Sequence, residues 1–322
     1  MLELLSTVFN SIFPVFFIIG LGFVFFKKGF IGKELQQGLN KLAYWVGLPA
    51  FLFYKVAFAK LEGQMAGQLL ISMASATLIC MALGYSFAKL FKASKESAGA
   101  SLQAAGRGNL AFVALPIIIA VVQKAAPDKA DLIVDNVILT LTPIVIMYNL
   151  ICVTFLVIHS SKESENLKKD IIKELYTNPL IIACALGLAF NFWGPEINAD
   201  NACFRVCKTV GASAFPMALL GVGSQLAQIS IKGHIKWVVV FASIKTIIAP
   251  LIGFAICRFM NMGNLETLSI MIMLASPTAV AAYVLADQLR CDPDLTASTI
   301  MLSTILSFFT FSAILIAFNG VL

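Results

Sequence analysis

Two polar stretches interrupt long apolar runs of this chain: Asn109-Leu-Ala-Phe-Val-Ala-Leu-Pro116 and, much later, Ser276-Pro277-Thr278. Together these residue types suit the capture of an anion. Each proline removes a backbone donor and crowds the carbonyl four residues back, at Phe112 and Met273. Serine is a good N-cap and proline a good first helical residue. Ser276-Pro277 therefore predicts the start of a fresh half-helix, and Pro116 predicts the same role in the first stretch. A helix start carries partial positive charge and unpaired N–H groups, which together receive a carboxylate. Asn109, Ser276, Thr278 and Gln103 are the side chains placed to complete its hydrogen bonds.

Two cations sit deep in apolar segments. Arg107 lies about a third of the way into one, and Lys245 lies near the middle of another. A charge at such depth costs about 2.5–3.5 kcal/mol or more, so it has a purpose. Either it sets a positive field for an anionic substrate, or it neutralises carbonyls freed at a helix break. No Asp or Glu is expected at comparable depth: Asp135 and Asp287 fall at segment ends, and Lys55, Arg205 and Lys208 near other ends are expected to snorkel. A cation/proton antiporter, which needs buried carboxylates, is thereby disfavoured. Sodium can be held by unwound carbonyls with Asn, Gln and Ser oxygens, so coupling to H⁺ or Na⁺ stays open. His159 and His234 are the two histidines, both at loop edges, and they form no metal or nucleophile–base motif; no enzyme is expected. Cys203 and Cys207 are one helical turn apart, too few for a zinc site, so no metal and no cofactor is called for.

These residues need apolar elements to carry them, and the composition supplies them. The chain has 322 residues, of which 59% are hydrophobic and only 12% charged, against about 25% charged in a soluble domain. Mean hydropathy is +0.90. The net charge of +6 is spread over short loops rather than one stripe, which argues against nucleic acid. Segments long enough to cross a bilayer run over 6–26, 38–58, 67–90, 99–122, 132–158, 178–194, 203–226, 236–257, 267–287 and 296–318. Lys and Arg collect in the odd-numbered loops (Lys27, Lys28, Lys33; Lys89, Lys92, Lys95; Lys162, Lys168, Lys169, Lys173; Lys232, Lys236), which predicts that these are cytoplasmic. Ten spans then put both termini outside, in a multi-pass protein of the cell membrane, a bacterial inner membrane.

The chain also divides in two. Residues 1–158 and 178–322 flank a short hydrophilic linker, 159–177, predicted to be cytoplasmic. Pro14, Pro49, Pro116 and Pro127 are followed in the same order by Pro179, Pro216, Pro277 and Pro293 at nearly one offset. Five spans per half is an odd number, so the second half enters from the opposite side. The expected fold is therefore an all-α polytopic membrane protein, ten transmembrane helices as two inverted five-helix repeats with crossed, broken helices 4 and 9.

The stretch Gly108-Asn-Leu-Ala-Phe-Val-Ala-Leu-Pro-Ile resembles the fourth-span motif of the auxin efflux carrier family, which includes plant PIN carriers and bacterial malonate or malate carriers. Ser276-Pro-Thr-Ala-Val-Ala-Ala-Tyr-Val-Leu-Ala-Asp with Cys291-Asp-Pro-Asp-Leu-Thr-Ala-Ser resembles its ninth span and the following turn, and Gly47-Leu-Pro-Ala-Phe-Leu-Phe its second. The resemblance implies a scaffold of helices 1, 2, 6 and 7, a homodimer, and a transport domain of helices 3–5 and 8–10 that moves as an elevator. It also implies that Asn109, Pro116 and Pro277 contact a carboxylate. The linker of about 20 residues is far shorter than that of the long plant carriers, which resembles a short bacterial member. The function expected is transport of a small mono- or dicarboxylate such as malonate or malate, with auxin-like acids at the margin. The competing reading is a sodium-coupled symporter of the bile-acid or organic-anion type.

Overall fold

The computed structural model describes residues 2–60, 62–160, 177–193, 201–229 and 235–320. Most of the expected linker, with its four lysines, and the loop carrying Lys232 and His234 lie outside the described residues. Among the described residues the chain is helical, and its β-structure is one isolated antiparallel bridge, Gly108 to Thr278. Six helical segments are long and apolar enough to cross a membrane: Val8–Lys27, Gly63–Leu90, Pro127–His159, Ala202–Leu226, Ile235–Phe259 and Pro293–Ala317. The other four expected spans are shorter or interrupted.

In chain order the first half runs α1 (Leu2–Lys27), α2 (Lys33–Leu42), α3 (Leu48–Ala57), α4 (Gly63–Leu90), α5 (Lys95–Gly106), α6 (Leu115–Ala125) and α7 (Pro127–His159). The second runs α8 (Pro179–Trp193), α9 (Ala202–Ala212), α10 (Ala214–Leu226), α11 (Ile235–Ser243), α12 (Ala249–Phe259), α13 (Asn264–Ala275), α14 (Val280–Gln288) and α15 (Pro293–Ala317). Corresponding elements keep step. The run α2–α3 and the run α9–α10 start 169 residues apart (33 and 202), as do α5 and α13 (95 and 264). Their lengths match too: α5 and α13 are each 12 residues long.

Pro14 and Pro143 lie inside α1 and α7, and three other prolines are absorbed without breaking a helix by one shared device. A π-helical turn precedes each: Ala43–Gly47 before Pro49, Leu110–Ala114 before Pro116, and Ile244–Ile248 before Pro250. In each turn an N–H reaches back five residues (Leu48 to Ala43, Leu115 to Leu110, Ala249 to Ile244). The extra residue displaces the carbonyl that the proline ring would otherwise strike.

This corrects the reading of Pro116. The helix does not restart there. It restarts at Leu110, after an extended segment Arg107–Asn109 flanked by Gly106 and containing Gly108. Pro277 lies inside the second break, Ser276–Ala279, whereas Pro116 lies seven residues past Asn109. The two prolines are therefore not in equivalent places. Ser276 is corrected as well: its hydroxyl donates to the Met273 carbonyl at 2.6 Å and closes the end of α13, while α14 starts at Val280 behind Ala279.

The largest helix contact joins α1 to α10 through small residues. A Cβ added at Gly22 would strike the Leu220 carbonyl, and one added at Gly223 would strike that of Ile19. Backbones this close gain dispersion contact that lipid cannot supply. Gly20, on the same helix, has open space where its Cβ would stand. Gly223→Val is therefore expected to lower the unfolding temperature in detergent by several degrees or abolish folding, overpacking costing about 1–3 kcal/mol or more. Gly20→Val should leave it within a degree or two, and equal melting curves for the two variants would refute this packing argument.

Candidate functional site

The two breaks pair with each other. Asn109 N–H donates to the Pro277 carbonyl at 2.8 Å, and Ala279 N–H donates to the Arg107 carbonyl at 2.9 Å. Two reciprocal bonds thus satisfy backbone groups that unwinding had freed inside an apolar protein, where an orphan would be costly. Side chains complete the job. Thr278 donates its hydroxyl to the Ala104 carbonyl at 2.8 Å, and its own N–H donates to Ser303 Oγ at 3.0 Å. Gly108 N–H donates to the Tyr148 hydroxyl at 3.3 Å. Gln103 Nε2 donates to the Ala282 carbonyl at 2.8 Å, and its Oε1 is buried without a hydrogen-bond partner among the described residues.

The two intramembrane cations separate into different settings. Lys245 is fully buried and its Nζ donates to the Leu274 carbonyl, at the C-terminal end of α13. That is where a helix presents unpaired carbonyls and negative partial charge, so a cation is well placed there. Arg107 instead lies in the wall of a cavity, 8% exposed. Its Nη2 donates to Asn149 Oδ1 at 2.9 Å, and its guanidinium sits 5.9 Å from the centre of the Tyr148 ring. Its Nη1 is buried with no hydrogen-bond partner among the described residues. Among the described residues no carboxylate lies within ion-pair distance of either cation.

The cavity measures about 1100 Å³. Arg107, Gly108 and Asn109 line it, together with Leu110, Ala111 and Phe112 from the first turn after one break and Ala279, Val280 and Ala281 from the other. First-turn N–H groups have no intrahelical acceptor, so both restarted helices offer donors to this space. The Asn109 carboxamide caps no helix and makes no hydrogen bond among the described residues, which leaves it available to a ligand. The facing wall is rich in amides, with Gln36, Asn40, Gln225 and Gln228.

Of the residues singled out from sequence, Asn109 and Arg107 therefore line the cavity. Gln103, Pro116, Ser276, Pro277, Thr278 and Lys245 do not; they hold the crossing together from behind. Tyr148 and Asn149 on α7 were missed, since in sequence they are ordinary polar residues of a long apolar helix. Two further readings change. Lys55 does not snorkel freely but pairs with Asp131 at 3.1 Å and Asp135 at 3.7 Å. No buried carboxylate was expected, yet Asp135, near the start of α7, is 4% exposed.

The chain matches the family profile described as membrane transport protein over residues 7–315. It is similar to an uncharacterized transporter of Methanocaldococcus jannaschii, with 22% identity over 92% of this chain and 93% of that protein. A second uncharacterized transporter, from Methanothermobacter thermautotrophicus, is 22% identical over 92% of this chain and 94% of its own length.

Lys245 and Arg107 make opposite predictions about stability. Lys245→Met removes the donor that serves the Leu274 carbonyl, at a cost of about 1–3 kcal/mol for an unsatisfied buried acceptor. Its unfolding temperature in detergent should fall by several degrees. Arg107→Gln relieves a buried cation that has no counter-ion, and its unfolding temperature should stay level or rise. A reversed order would show that Arg107, not Lys245, secures the crossing.

Proposed function

The chain belongs to the membrane transport protein family, the family of the auxin efflux carriers, and from that premise we propose that it carries small organic anions across the cell membrane. The substrate class is a mono- or dicarboxylate such as malonate or malate, with auxin-like acids a less favoured guest. One observation carries the reading: Arg107, a buried cation in the wall of a large cavity, has no carboxylate partner among the described residues. A guanidinium in low dielectric gains most from an anion brought from outside. The restarted helices at Leu110 and Val280 add N–H donors, and Asn109 adds a carboxamide. Pro277, Ser276, Thr278, Gln103 and Lys245 take the supporting role of fixing the crossing, and Pro116 shapes the turn after it.

The architecture proposed is ten spans in two inverted five-helix repeats, with α5–α6 and α13–α14 as the crossed, broken pair. The shared offset of α2–α3 with α9–α10 and of α5 with α13 supports it. The scaffold is α1–α3 with α8–α10, and the transport domain is α4–α7 with α11–α15. Cavity residues on the scaffold side come from α2, α3, α8 and α10, and those on the transport side from the crossing, α7, α14 and α15, so the substrate sits at the boundary between the two. An elevator movement of the transport domain would carry the anion with its donors, since these all belong to the moving part. The cavity follows the C-terminal half of α7 (Val145 to Val157) towards Gln36 and Gln228, beside the lysine-rich loops. With those loops cytoplasmic, this is an inward-open state with both termini outside, and the protein works as a homodimer in the membrane.

The test is saturable uptake of radiolabelled malonate, malate and indole-acetate into liposomes, with and without Na⁺ and a pH gradient. Asn109→Ala and Arg107→Gln should each raise KM about tenfold or more, as expected for losing a hydrogen bond to a charged group. Wild-type affinity in both variants would remove the site from the crossing. Uptake that requires Na⁺ would move the protein to the sodium-coupled symporter class.

A further inference from the structure

A second charged cluster lies at the other end of α7, away from the cavity. Asp135 accepts a hydrogen bond from Lys60 N–H at 3.1 Å through Oδ2. Its Oδ1 faces Lys55 Nζ at 3.7 Å and has no hydrogen bond. The next residue, Asn136, accepts from Glu62 N–H at 3.2 Å and donates to the Lys60 carbonyl at 3.2 Å. Lys55 belongs to α3, and residues 58–62 connect α3 to α4. This cluster therefore ties the proposed scaffold to the proposed transport domain at one point, on the side opposite the cavity mouth.

Resting on that carrier reading, we propose that Asp135 is a proton-binding site that latches the inward-open state. The carboxylate is nearly inaccessible, and one of its oxygens depends on Lys55 alone. If α7 slides past α3, that cation is withdrawn, and a buried carboxylate without a counter-ion is strongly disfavoured. A proton from the adjoining aqueous phase adds to one carboxylate oxygen, gives a neutral acid, and removes the buried one of the two charges that Lys55 was holding, leaving the pair with exposed Asp131. Proton and Lys55 compete for the same group. Acid therefore favours release of the latch, and the return of Lys55 expels the proton to the side from which it came.

The elements packed against α7 include α13, which carries Glu266, and α14, which carries Asp287. Lys55 comes from α3, Lys60 and Glu62 from the connection, and Asp131 from one turn earlier on α7. At this end α6 contributes Lys124, and α8 carries no Asp, Glu, Lys, Arg or His. The charged residues of α4 and α5, Lys89, Lys95 and Glu96, lie at the far end, where Lys95 reaches the Ser160 carbonyl.

The experiment is exchange of labelled for unlabelled malonate, malate or indole-acetate in liposomes at equal internal and external pH, from 8 down to 5. Wild-type exchange should accelerate at least threefold as pH falls. Asp135→Asn, permanently uncharged, should exchange at the fast rate throughout, and Asp135→Glu should restore the pH dependence. Because the same acid is used throughout, its own protonation cancels in the comparison. The double variant Lys55→Gln/Asp135→Asn, which leaves only the exposed Asp131 without its partner, guards against a single variant that folds badly. A wild-type pH profile in Asp135→Asn, or loss of exchange in both the single and the double variant, overturns the latch. Wild-type protein that exchanges none of the three acids overturns the carrier reading instead.

Discussion

The pair of backbone hydrogen bonds between Arg107–Asn109 and Pro277–Ala279 is the constraint on which the rest of the structure depends. An apolar protein cannot leave an unwound backbone unsatisfied, and neither break can be served by its own helix. Each break is the other's partner. The two must therefore meet, which fixes where α5, α6, α13 and α14 lie relative to one another. Around this pairing, Thr278, Ser303, Tyr148 and Ala104 absorb further backbone and hydroxyl groups. The crossing also brings the N-terminal turns at Leu110 and Val280 to one cavity.

Charge is distributed around the crossing by function. Lys245 serves a helix C-terminus from the protein interior, where a carbonyl is its partner. Arg107 faces the cavity and is held by neutral groups, an amide and a ring face, which aim it without discharging it. A carboxylate in place of Asn149 would neutralise the guanidinium before any substrate arrived. Among the described residues, one cation thus meets a helix end and the other lines the cavity without a carboxylate partner.

The long helix α7 links the two ends of the molecule. Its C-terminal half presents Tyr148 and Asn149 to the cavity, and its N-terminal part presents Asp135 and Asn136 to the connection between α3 and α4. Both clusters ride on one helix of 33 residues, with Pro143 between them.

Much of this was legible in the sequence. Apolar runs of bilayer length follow from composition. Asn109 and Arg107 stood out as polar residues at depth, and the family resemblance rested on the residues that now form the crossing. The first break was misplaced for a physical reason: a proline marks strain, but a π turn can absorb it, and only the three-dimensional backbone shows whether it does. Pro116 is absorbed, and the glycines at 106 and 108 are where the chain opens. Equally invisible were the partners: that Thr278 would spend its hydroxyl on Ala104, that Lys245 would reach Leu274, and that Asn149 would hold Arg107. Sequence determined which groups had to be satisfied, because the cost of burying a polar group is a property of the group. Tertiary structure decided who satisfies them and who is left free, because that depends on contacts between segments as far apart as 107 and 279, which no local pattern encodes.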